Sequence, residues 1–208
     1  MSRYSDGFYS RFSRPGRMPA QTLYASLIMR AAVGVLRRSP ASIVDVGCGY
    51  GQHDVAMRTC YPNAKITGID HGPLPAAHWM LNGDKNARFI DVDLEADDLP
   101  DRIAVWPYGE SELCLTTEVL EHIRPESADF VVDFINRITS RVIIMTAAAH
   151  PGGGRHHVNC QPPLYWRRKF QSRGKWAMAR RHTWWLSNVF KVCGCKYVHE
   201  TCQVLVRL

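Results

Sequence analysis

Apolar and polar positions along this chain follow two alternating rhythms. Leu23, Leu27, Ala31 and Val35 recur at helical spacing, which predicts an amphipathic helix over residues 21–38 that Pro40 stops. Residues 42–47 then carry Ile43, Val44 and Val46, the β-branched run of a covered parallel strand. The same switching continues downstream. Strands are predicted at 65–70, 88–93, 112–117 and 141–146, the last a continuous apolar run. Helices are predicted at 51–60, 74–82, 99–105 and 125–138, with Phe130, Val131, Phe134 and Ile138 sharing a face of the last. This β-α-β alternation argues a doubly wound α/β fold.

After His150 the rhythm changes. Residues 151–154 read as a proline–glycine loop, and Pro162 and Pro163 open a helix reaching about Ser172. A further helix is expected at 178–190. A final strand is expected at 196–207, with Val198, Cys202, Val204 and Val206 on one face. No internal repeat is present. Residues 1–18 form a basic arm bearing Tyr4, Phe8, Tyr9 and Phe12, and 19–208 read as one domain.

The most informative stretch is Asp45-Val46-Gly47-Cys48-Gly49-Tyr50-Gly51. Its three glycines permit tight turning and close approach of backbone to a ligand. The spacing is not that of the dinucleotide fingerprint. About twenty residues on, Gly68-Ile69-Asp70 ends a second strand in an acid. Together these motifs resemble the class I S-adenosylmethionine (SAM) dependent methyltransferases, over roughly Ser42 to Thr146. The resemblance implies a mostly parallel seven-stranded, Rossmann-like sheet with helices on both faces. It also implies an enzyme that uses SAM and releases S-adenosylhomocysteine (SAH). Ligands of such sheets sit beyond the carboxyl ends of the strands. The expected cofactor residues are therefore Asp45, Gly47, Cys48, Gly49, Gly51, Asp70, His71, Asp93, Leu94, Thr117 and Glu118. A carboxylate can accept from two vicinal hydroxyls, so Asp70 is the ribose partner, with His71 packed beside it. The resemblance puts Asp93 and Leu94 at the adenine edge. Asp91, Asp97 and Asp98 read as a solvated acidic loop.

Glu118-Val119-Leu120-Glu121-His122 looks like the E-x-x-E-H stretch of many class I methyltransferases, where it shapes the cofactor floor. In the small-RNA 3′-terminal 2′-O-methyltransferases a like stretch and a later histidine bind a divalent metal. Glu118, Glu121 and His122 match that pattern, with His156 or His157 as the fourth ligand, although the later spacing departs from it. The floor reading is preferred here over a metal. Arg155, His156, His157 and Asn159 follow the fifth strand, on a loop that faces the reacting end of the cofactor in this fold. His156 and His157, with Glu118 and Glu121, are the candidates for catalysis, because an ordinary imidazole can take a proton near neutral pH. The Lys-Asp-Lys-Glu tetrad of other 2′-O-methyltransferases has no place at these strand ends. Cys193, Cys195, His199 and Cys202 are too irregularly spaced for a zinc site.

Charge then changes the picture. Residues 1–41 hold seven Lys/Arg against one acid, 42–133 six against seventeen, and 134–208 thirteen against one. The basic C-terminal part interleaves cations with tryptophans, including Arg155, Trp166, Arg167, Arg168 and Lys169. Such a mixture suits phosphates and unpaired bases. The expected acceptor is RNA, a cap or an RNA end, or another polyanion. The alternatives are a methyltransferase for a small metabolite or sugar, and a catalytically silent SAM- or RNA-binding subunit. No run of eighteen apolar residues suggests a membrane span. Seven scattered cysteines suit a reducing, intracellular compartment.

Overall fold

The computed structural model describes residues 18–151, 154 and 156–208. All but the last residue of the predicted basic arm, and Arg155, lie outside them. The elements in chain order are α1 (Met18–Leu36), β1 (Ser42–Val46), α2 (Gln52–Cys60), β2 (Lys65–Asp70), α3 (Pro73–His78), β3 (Ala87–Asp91), α4 (Leu99–Ala104) and β4 (Ser111–Thr117). Two 3₁₀ turns, Leu120–His122 and Pro125–Ser127, lead into α5 (Ala128–Ile138). Then come β5 (Thr139–Thr146), α6 (Pro163–Arg173), β6 (Trp176–Met178), α7 (Arg180–Val192), α8 (Lys196–Thr201) and β7 (Gln203–Arg207).

The seven strands form one sheet in the order β3-β2-β1-β4-β5-β7-β6. The first five run parallel, and β7 is antiparallel to both its neighbours. The expected doubly wound, mostly parallel sheet is therefore the fold. Two apolar cores lie on its two faces. One joins α1, α2 and α7 to Ile43, Leu113, Ile144 and Val204. The other joins α5 and α6 to Val44, Cys114, Ile143 and Leu205. Adjacent strand residues thus serve opposite cores, as a sheet covered on both sides requires.

Three predictions differ from the structure. The expected strand over 196–207 is a helix, α8, followed by a five-residue strand. Val198 and Cys202 stand four apart, a spacing that fits a helix turn as well as a strand. Gly194, at φ 75°, turns the chain just before it. Leu23 and Phe130, expected on buried faces, are 50% and 48% exposed. The predicted Leu27 and Ala31 are buried, and the buried side of α1 also takes in Ala25, Ile28, Met29, Ala32 and Leu36. No helix among the described residues is long and apolar enough to cross a membrane.

Candidate functional site

The parallel strands β1, β2 and β4 end at one edge of the sheet, the side on which ligands of such sheets occupy a cleft. Gly47, Gly49 and Gly51 all take positive φ there (79°, 56° and 82°). The Gly47 and Cys48 N–H groups donate to the Ile69 carbonyl at 2.7 and 3.1 Å, which ties the turn to the end of β2. Gly47 also has no room for a side chain, since a Cβ would lie 2.3 Å from Val119. The Gly49 N–H donates to Asp70 Oδ2, and the His71 N–H to Asp70 Oδ1, both at 2.7 Å. The turn and the acid are therefore one rigid unit. His71 is held in turn by Asp91, Nδ1 to Oδ1 at 2.8 Å. Asp91 also accepts from the Gly72 N–H, so it is a structural ligand of this turn rather than part of a solvated loop. Asp93 accepts from the Glu95 N–H at 2.9 Å, and Leu94 packs against the second core.

A set of buried carboxyls underlies this turn. Asp45 and Asp54 are shut off from solvent. Burial pushes Asp45 well above the usual carboxylate range, and the neighbouring Asp54 and Asp70 add to it. Burial raises Asp54 to about 7, opposed by the Trp79 indole N–H that donates to it at 2.6 Å. Asp45 Oδ2 and Asp54 Oδ1 have no hydrogen-bond partner. Orphaned buried oxygens are uncommon, and these two set the glycine turn apart from ordinary packing. The sequence reading missed Asp54, which follows Gly51 by three residues in the first turn of α2. Trp79 carried no signal of its own.

The second half of the cleft lies beyond β4 and β5, whose last residues Thr117 and Thr146 are paired. Glu118 takes φ 56°, a left-handed conformation that a non-glycine residue adopts at a strain of roughly 1–3 kcal/mol. Its N–H donates to both the carbonyl and the hydroxyl of Thr146, at 3.1 Å each. The strained turn swings Glu121 and His122 back over the strand ends. The Glu121 carbonyl accepts from Val158 and Asn159 N–H at 2.9 Å, and His122 Nδ1 meets the His156 carbonyl at 3.1 Å. These bonds draw the post-β5 loop onto the turn. His157 Nε2 then stands 4.0 Å from Glu121 Oε1, and the His122 and His157 rings meet edge to face at 4.7 Å.

Glu121, His122 and His157 can offer one ligand atom each within 4.8 Å of one another. The Glu121 side chain is 0% exposed and shares a hydrogen bond with the Glu118 carboxyl. His157 Nδ1 and the Asn159 amide are buried without partners. Burial raises the Glu121 carboxyl to about 8, and the adjacent Glu118 adds to it. His53, missed in the sequence, faces this half from α2, with its Nδ1 3.4 Å from Thr117 Oγ1. Burial lowers its imidazole to about 4. Its ring stacks on Tyr24 of α1 at 5.2 Å.

The residues expected to bind substrate fare differently. Asn159 reaches the site, but Trp166 is only 1% exposed and belongs to the second core. Its ring is spent on packing, so no face remains for a base. Lys169 pairs with Asp129 at 2.5 Å, and Arg167 Nη1 donates to Met178 Sδ at 3.0 Å. Arg168 is exposed on α6.

A glycine turn locked to an acid at the edge of this strand order defines the class I methyltransferase fold, and the chain has that fold. Solved structures share it at low sequence identity. The plantazolicin methyltransferase BpumL, in complex with SAH, is 14% identical with a TM-score of 0.66, over 99% of this chain and 91% of that one. The magnesium protoporphyrin IX methyltransferase ChlM of Synechocystis PCC 6803, with bound SAH, is 16% identical with a TM-score of 0.59, over 92% and 85%. Human N-acetylserotonin methyltransferase, in complex with SAM, is 14% identical with a TM-score of 0.57, over 98% and 59%. No family model matches the sequence, and no curated protein is significantly similar to it.

Proposed function

We propose that this protein is a SAM-dependent methyltransferase that methylates a hydroxyl of RNA, at a cap or an RNA end. The observation that carries the reading is the convergence of Glu121, His122 and His157 beside the cleft of Gly49 and Asp70. Neighbours of the same fold hold SAM or SAH. When bound, SAM supplies a methyl group already activated on a positively charged sulfur. Asp70 would hold the ribose hydroxyls, and Asp93 with Leu94 the adenine edge. The remaining task is alignment and removal of one proton. His157 would take the proton of the acceptor hydroxyl as its oxygen gains the methyl group. Glu121, raised to about 8, keeps its own proton at neutral pH and leaves the imidazole free to act.

Glu118, Glu121, His122 and His157 would also suit a hard divalent cation such as Mg²⁺ or Mn²⁺, which would polarise the acceptor oxygen. The buried, unpartnered His157 Nδ1 supports that fit. A second reading, a small-molecule methyltransferase, has its own support. The neighbours are named for plantazolicin, N-acetylserotonin and magnesium protoporphyrin IX.

The test is transfer of labelled methyl from SAM to capped, uncapped and 3′-blocked RNA, with Mn²⁺ or with chelator. Label on RNA that falls about 100-fold or more in His157→Ala supports the reading. No label on any RNA, with SAM still bound, would shift the assignment to a small acceptor.

A further inference from the structure

The basic C-terminal segment contains four tryptophans, and the structure separates their roles. Trp166 and Trp176 are buried, and Trp185 packs against the first core. Trp184 alone of the four stands out into solvent, 69% exposed. It sits on α7, whose inner side buries Leu186 and Phe190. Residues three and four apart share a helix face. Arg180, Arg181, Trp184, Asn188 and Lys191 therefore form one outward stripe, about 17 Å long from end to end. All five are exposed.

The cations of this stripe differ from those of α6. Lys169 pairs with Asp129, and Arg173 with Asp133 and Asp129. Arg180, Arg181 and Lys191 have no acidic partner among the described residues. The one acid of residues 134–208, Glu200, faces His199 at 3.9 Å. Topology then orients the stripe. β6 runs parallel to β5, because both are antiparallel to β7. Its end, and so the start of α7, lies on the same sheet edge as Thr117 and Thr146. Three strand spacings, about 14 Å, separate β4 from β6.

We propose that the Arg180–Arg181–Trp184–Lys191 face of α7 is the track that grips single-stranded RNA and leads it to the Glu121 cluster. Trp184 stacks on an unpaired base, and the three free cations neutralise flanking phosphates. Charge complementarity selects this occupant: three cations without an acidic partner among the described residues attract a polyanion, and the exposed ring between them offers a face to an unpaired base. The track rests on the RNA reading given above.

The experiment measures anisotropy of a fluorescein-labelled 12-nucleotide single-stranded RNA, with methyl transfer to the same RNA followed in parallel. Trp184→Ala should weaken binding about 5- to 150-fold, and Trp184→Phe should retain most of the affinity. Arg180→Glu with Arg181→Glu should flatten the log–log salt dependence by about 1.4. SAM affinity and thermal unfolding report on the fold of each variant. Methylated RNA with undiminished binding in Trp184→Ala and in the double variant would overturn the track and leave the RNA acceptor standing. Stripe-dependent binding without transfer would keep the track and overturn the acceptor. A drop in oligomeric state with Trp184→Ala, at unchanged RNA affinity, would make the stripe an interface between copies and overturn it.

Discussion

The two halves of the cleft are built on opposite terms. On the β1–β2 side, backbone does the holding. Gly47 and Cys48 N–H groups bond Ile69, Gly49 bonds Asp70, and a side chain on Gly47 would strike Val119. On the β4–β5 side, side chains are left over. His157 Nδ1 and the Asn159 amide are buried without partners, beside a turn strained at Glu118. One half is a cradle held by backbone bonds, with only the Asp45 and Asp54 oxygens beneath it unpaired, and the other gathers a carboxyl and two imidazoles at the strand ends. The difference teaches where recognition ends and chemistry begins, because a satisfied polar group positions and an unsatisfied one still has bonds to make.

The comparison can be broken hardest on the rigid side. Gly47→Val adds a Cβ at positive φ against Val119, which should lower stability by about 2–5 kcal/mol in urea titrations. A loss under about 1 kcal/mol would mean that the turn is not rigid. The reactive side is probed through pH. Glu121 titrates at about 8 in the folded protein, against an ordinary value near 4.3 when unfolded. The native state therefore binds the proton that the unfolded state releases. Its contribution is complete at low pH and is lost as pH rises from about 4.3 towards 8. Glu121→Gln should thus gain on the wild type by up to about 1.4 kcal/mol per pH unit across that window. Thermal melts at pH 5 and pH 8.5 measure the gap, and an equal offset at both would refute it. The smallest effect is expected at Lys169→Ala. Its ion pair with Asp129 is partly exposed and worth roughly 0.2–1 kcal/mol, and RNA binding should not change. A clear loss of RNA affinity would return α6 to the substrate surface.

The parallel strands and the glycine turn were legible because their signals are local. A β-branched run and a positive-φ glycine mean the same thing in any surroundings. Glu118, Glu121, His122 and His157 were legible as candidates through their order along the chain. Their meeting was not, because it depends on the Glu121 carbonyl capturing the Val158 and Asn159 N–H groups. Trp184 and Trp166 could not be told apart in sequence. Both lie among basic residues, and only the packing of α6 and α7 decides which ring is buried. The short strand β6 carries too few residues for a pattern. The 196–202 segment failed because apolar residues four apart satisfy both periods at once.

The placement of β7 has a consequence for how the molecule comes into being. It is the last strand in sequence, yet it lies between β5 and β6. Until residues 203–207 leave the ribosome, the apolar edge of β5 has no neighbour and β6 has no sheet to join. At about 5–20 residues per second, the newly made chain waits on the order of several seconds between finishing β5 and covering it. During that interval the nascent protein presents a bare hydrophobic edge, the kind of surface that chaperones bind.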